Sequence, residues 1–215
     1  MTSPARIVSP AFVMARGIDC VTTLTQVSAE DLKARGIDFS IRYLGSVTAN
    51  EVDIILSAGL AFMPVTYGLK HGTEPTKELG TRFGSSSARQ ARDAGVGLGA
   101  TVWLDLEDMA GTPQEVIDFV DAWATVILGA GFQPGLYVGA GALLTSQQLY
   151  ALKVVRYWQS LSKEIDVRGQ LAEPACGWCM IQLYPTIVVA GVSVDIDVIQ
   201  QDYRQRTPMW TRKIA

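Results

Sequence analysis

Histidine is nearly absent: the 215 residues include one, His71. Thiols are scarce too, with Cys20, Cys176 and Cys179 only. A structural zinc site needs about four such ligands close together, and these residues cannot supply them. Cys176-Gly-Trp-Cys179 has CxxC spacing but stands alone. Three cysteines make a poor disulfide framework. We read the pair as two small residues at a strand entrance, with a redox pair as the alternative, and expect neither to hold metal. Positive charge is also short. A net charge of −3 excludes the basic face that nucleic-acid binding requires. The basic tail Arg204, Arg206, Arg212 and Lys213 reads as a solvated end. Long apolar runs are missing: Val126–Ala130 and Ile187–Val192 fall far short of a membrane span. No uninterrupted apolar stretch near the N-terminus marks a secretory signal. GxGxxG and Walker patterns are absent as well, so no phosphate cradle follows the first strand.

What is present is a recurring unit, in which a capped helix ends in glycine and an apolar strand follows. Ser28-Ala-Glu-Asp31 opens a first helix closed by Gly36, and Thr48-Ala-Asn-Glu51 opens a second closed by Gly59. Thr112-Pro-Gln-Glu115 opens another, with proline at the first helical position, closed near Gly131. Hydroxyl and carboxyl groups satisfy the orphan N–H groups, and glycine takes the left-handed turn. Val116, Phe119, Val120, Trp123, Val126 and Ile127 recur at helical spacing. Strands are expected at Met14–Cys20, Phe39–Leu44, Ala61–Tyr67, Thr101–Glu107, Gly135–Val138, Val155–Ser160, Gly177–Tyr184 and Ser193–Ile199. Alternating strands and helices imply a parallel sheet. The expectation is an α/β fold, a (β/α)8 TIM-like barrel with degenerate helices in its last third. An open doubly wound sheet is the alternative. One domain over residues 1–215, with a core of about 14–200, is expected.

Carboxylates collect late in the strands. Asp19 ends the first, Asp105 and Glu107 end the fourth, and Asp195 and Asp197 lie in the eighth. Charges are costly inside a sheet unless hydrated or paired, and the C-terminal mouth of a barrel is where substrate meets such groups. Residues two apart on a strand share a face. Closure would set the eighth strand beside the first and bring the acids together. A lone Asp at a strand end is usually a turn former or cap, and Asp108 fits that description. The whole set points to acid-assisted glycoside hydrolysis, or alternatively to a magnesium site.

The motifs resemble a bacterial glycoside-hydrolase-like domain family, formerly a domain of unknown function, that is similar to the family-25 lysozymes. The resemblance runs from Gly17 to about Gln200. It rests on Gly17-Ile-Asp-Cys20, Ile41-Arg-Tyr-Leu44, Glu51 with Ala58-Gly-Leu60, and Pro64-Val-Thr-Tyr67. Asp105-Leu-Glu107, Gly131-Phe-Gln-Pro-Gly-Leu-Tyr137 and Val194-Asp-Ile-Asp197 complete it. It implies Glu107 as general acid, Asp105 as the group orienting a substrate 2-acetamido group, and Asp19 and Asp195 as supporting carboxylates. Asp197, Arg42, Tyr67, Tyr137, Trp158, Gln182 and Tyr184 are the expected substrate-binding residues. Asp197 stands where the lysozymes often have Asn, and Thr73–Ser87 has no lysozyme counterpart. The expected activity is a lysozyme-like peptidoglycan hydrolase, with a non-catalytic glycan-binding barrel as the alternative. A metal-dependent hydrolase ranks third. No cofactor is expected. A monomer is expected, made in the cytoplasm and reaching the wall by non-classical export or lysis.

Overall fold

The computed structural model describes residues 5–161 and 171–214. Eight strands close a ring. They are β2 (Arg16–Cys20), β3 (Phe39–Tyr43), β4 (Ala61–Thr66), β5 (Thr101–Leu106), β6 (Gln133–Val138), β7 (Arg156–Ser160), β8 (Met180–Val189) and β9 (Val192–Ile199). The order around the ring is β4-β3-β2-β9-β8-β7-β6-β5, and pairing of β4 with β5 closes it. Two further strands, β1 (Arg6–Pro10) and β10 (Met209–Lys213), pair with each other and extend from the N-terminal end of β4.

The (β/α)8 expectation is corrected. The barrel is mixed, because β9 runs antiparallel to both β8 and β2. Ala190 and Gly191 join β8 to β9 with φ of 54° and 73°. That left-handed pair makes the tight turn that matches strand twist in a hairpin, so no crossover helix can intervene. Among the described residues there are five helices: α1 (Gln26–Ala34), α2 (Ala49–Ser57), α3 (Lys77–Asp93), α4 (Pro113–Gly129) and the short α5 (Ser146–Ala151).

The caps show why these segments are helical. Thr112 and Glu115 form the reciprocal box, with Pro113 behind them. The first helix starts earlier than its Ser28 signature suggests. Thr25 is the cap, and Ser28 is the third helical residue that bonds back to it. Thr48 caps α2, but Glu51 does not return the bond. Its carboxylate is taken by Arg42 and the Leu24 N–H.

Alternation divides each strand between two cores. Phe39, Ile41, Met63, Val65, Trp103, Trp158, Met180 and Ile199 fill the barrel, and Trp210 of β10 plugs its floor. Ile18, Phe62, Leu104, Leu136 and Val194 face outward against the apolar helix faces. Glycine is required where interior rings crowd the wall. A Cβ on Gly17 would stand 2.2 Å from the Phe39 ring, and one on Gly135 2.4 Å from Trp103. The tail read as a solvated end is instead partly built in, since Trp210 is buried and Asp202 binds Arg206 at 2.6 Å.

Candidate functional site

The inward faces of β2, β5, β8 and β9 converge at the end of the barrel where the parallel strands finish. Asp19 is the last inward residue of β2 and stands opposite Asp195 on β9. Asp197 is opposite both Gly17 and Gln182, one inward position deeper. Asp105 ends the inward row of β5, beside Tyr137 on β6, and Glu107 follows it at the rim.

Gln182 ties the cluster together. Its Nε2 donates to Asp19 at 2.9 Å and to Asp195 at 3.4 Å. Its Oε1 accepts from the Tyr137 hydroxyl at 2.8 Å and from Ser160 at 3.4 Å. The two hydroxyls therefore fix the amide so that its donor end faces the carboxylates. The Thr186 hydroxyl binds the other oxygen of Asp195.

Burial dominates the proton affinities. It pushes Asp19 up to about 7; the Gln182 donor opposes the shift, while the charges of Asp195 and Glu107 add to it. Asp105 is held well above the ordinary carboxylate range by burial, then by Glu107 and Asp19, against a bond from the Gly68 N–H. Asp197 is fully buried and raised for the same reason, with Asp19 and Asp195 adding to the effect. Neither of its oxygens meets hydrogen-bond geometry, although Asp19 and the Trp158 indole lie beside it. Such a set keeps protons near neutral pH. It can donate one to a leaving oxygen and stabilise positive charge with another carboxylate.

The remaining residues expected at the site are divided by the structure. Tyr67 lies at the rim, stacked on Tyr43 with ring centroids 4.1 Å apart. Tyr184 is exposed on β8, two residues beyond Gln182. Trp158 is part of the floor, edge-on to Tyr137 at 4.6 Å and to Trp103 at 5.7 Å, and is 2% exposed. Arg42 is not at the mouth. It faces outward from β3 and pairs with Glu51 at 2.7 Å, both fully enclosed, while also donating to the Cys20 carbonyl. Tyr43, Ser160 and Thr186 were not anticipated. Tyr43 and Ser160 could have been found by parity, because each is two residues from an inward neighbour on its own strand.

Cys176 and Cys179 are buried thiols, and burial pushes Cys179 up to about 12. Among the described residues no three His, Cys, Asp or Glu side chains are grouped to hold a metal ion. No helix there is long and apolar enough to cross a membrane.

The sequence pattern of a family described as "Rv2525c-like, glycoside hydrolase-like domain" matches residues 30–178. No curated protein sequence matches the chain. Several solved structures share the fold. The Mycobacterium tuberculosis Tat-secreted protein Rv2525c, in complex with L-tartrate, superimposes with a TM-score of 0.66 at 15% identity, over 88% of this chain and 99% of that one. An uncharacterized B. stearothermophilus protein gives 0.64 at 19% identity, over 86% and 95% of the two chains. The bacterial lysozyme from Streptomyces coelicolor gives 0.56 at 12% identity, over 91% and 96%.

Proposed function

The chain belongs to the Rv2525c-like glycoside hydrolase-like family, and from that premise we propose that it cleaves bacterial cell-wall glycan as a lysozyme-like hydrolase. The observation that carries this reading is the convergence of Asp19, Asp105 and Asp195 on one barrel mouth, with Glu107 at its rim. In this reading Glu107 protonates the glycosidic oxygen as the bond breaks. Asp105, next inward on the same face, orients the 2-acetamido group of the sugar. Asp19 and Asp195, aligned by Gln182, stabilise the positive charge that develops on the ring. The Tyr43–Tyr67 stack offers a flat apolar face beside them. Asp197 and Trp158 support the site from below, and Arg42 takes no part in it.

Incubation with purified peptidoglycan, followed by mass analysis of the soluble products, tests the reading. Glu107→Gln keeps the shape and removes the acid, so turnover should fall by about two to four orders of magnitude, with glycan binding intact. Equal cleavage by wild type and Glu107→Gln would remove Glu107 from its role. One observation favours the second reading, a glycan-binding barrel without turnover. Gln182 and Thr186 already occupy oxygens of Asp19 and Asp195. Wild type that retains glycan but never releases fragments would establish it.

A further inference from the structure

The closed end of the barrel, opposite the mouth, combines features that the glycan reading does not use. The segment between β1 and β2 exposes three consecutive apolar residues: Phe12 at 55%, Val13 at 42% and Met14 at 70%. Runs of this kind are avoided on a solvated surface unless they contact something. Met14 is held outward by a left-handed backbone, φ 67°, at a cost a non-glycine residue does not accept freely. Phe12 is braced edge-on against Trp210, with centroids 5.3 Å apart.

The same end is basic. Parallel strands start here and the long helices finish here, and so do Arg16, Lys33, Arg35, Arg156, Arg212 and Lys213. Lys33 is paired with Asp38 at 3.5 Å and Arg35 with Asp31 at 3.0 Å. Among the described residues Arg16, Arg212 and Lys213 have no ion-pair partner. A cleft of about 180 Å³ connects Phe12 and Trp210 with Lys33, Arg212 and Lys213 and with Asp38, the partner of Lys33, so Phe12 and these cations share one surface. The carboxylates of the candidate site lie at the other end, and Asp31 and Asp38 at this end are taken by Arg35 and Lys33.

We propose that this face docks on an anionic lipid surface, with Phe12, Val13 and Met14 entering the headgroup layer and Arg16, Arg212 and Lys213 facing the lipid phosphates. The match is one of charge and shape: a small apolar wedge with cations lacking ion-pair partners beside it fits a soft anionic interface. A soluble polyanion would use the cations and leave the wedge in water. Docking in this way points the mouth away from the surface.

Sedimentation with phosphatidylglycerol vesicles, with phosphatidylcholine vesicles, and retention on dextran sulfate test the proposal. Wild type should sediment with the anionic vesicles and not the zwitterionic ones, and release as salt is raised. Arg212→Glu with Lys213→Glu should weaken vesicle partitioning by about 25-fold or more, since each cation near such a surface contributes about fivefold. Met14→Gly suits the left-handed backbone and so leaves the fold intact. It should weaken vesicle binding about tenfold through lost apolar insertion while leaving dextran sulfate retention unchanged. Equal binding to both vesicle types overturns the proposal. So does anionic vesicle binding that Met14→Gly leaves unaltered, which would make the face a site for charged polymers.

Discussion

Burial among other carboxylates favours the protonated form of an acid, and the barrel interior applies this rule to Asp197. In the unfolded chain the same group ionises near pH 4. The folded protein therefore retains a proton that the unfolded chain releases. The stability associated with this group is complete below about pH 4 and falls as pH rises toward its folded value. Asp19, pushed up to about 7, acts with the same sign between about pH 4 and 7. Asn matches the neutral acid in shape. Asp197→Asn should equal wild type near pH 4 and become progressively more stable above it, the ratio of unfolding constants growing about tenfold per pH unit. Urea unfolding at several pH values measures this, and parallel pH profiles for the two proteins would show that Asp197 is ionised. The positions of Asp19, Asp105, Asp195 and Asp197 were legible because two-residue alternation fixes a face. Arg42 was misplaced for a physical reason. Both faces of this wall are buried, so hydropathy does not tell inward from outward, and the resemblance that put Arg42 at the substrate does not fix its face.

At the scale of elements, Arg42 explains why α2 sits where it does. Its guanidinium leaves β3 outward, meets Glu51 on the first turn of α2, and reaches back to the Cys20 carbonyl on β2. Glu51 in turn accepts the Leu24 N–H ahead of α1. Four segments are thus fastened through one ion pair with both members out of water. Arg42→Ala leaves Glu51 enclosed without a cation, which should destabilise the fold by about 3–5 kcal/mol. Arg42→Met with Glu51→Leu should recover most of that loss, because a buried pair costs much of its attraction in desolvation. Equal instability of the single and double variants in urea would refute the assignment. The Thr48 and Thr112 starts were legible from hydroxyl and carboxyl spacing. The direction of β9 was not. Ala190-Gly191 is a weaker hairpin signal than Asn-Gly, and the stretch between the expected strands Gly177–Tyr184 and Ser193–Ile199 does not show which way the chain returns.

For the molecule as a whole, the floor of the barrel is built by chain segments at opposite ends of the sequence. β1 and β10 pair over five residues, from Arg6 opposite Lys213 to Pro10 opposite Met209. Together they carry Trp210 beneath the ring. Its indole packs against Phe39 and Phe12, and its N–H reaches Ser9 at 3.2 Å. The Met209 N–H bonds Thr101 at the entrance of β5, fixing β10 to the ring strand next to β4. None of this was legible: both strands are short and edge-paired, and the cations around Trp210 resemble a solvated tail. Trp210→Ala should open a cavity in the floor and cost about 3–5 kcal/mol. Because the plug links the ring to both outer strands, the loss should appear as a shifted single transition without a new early phase. The mouth lies at the other end of the barrel, so glycan binding per folded molecule should match wild type. An unshifted midpoint in urea would show that the barrel closes without its plug. Weakened glycan binding by the fully folded variant would show instead that floor and mouth are coupled through Trp103 and Trp158.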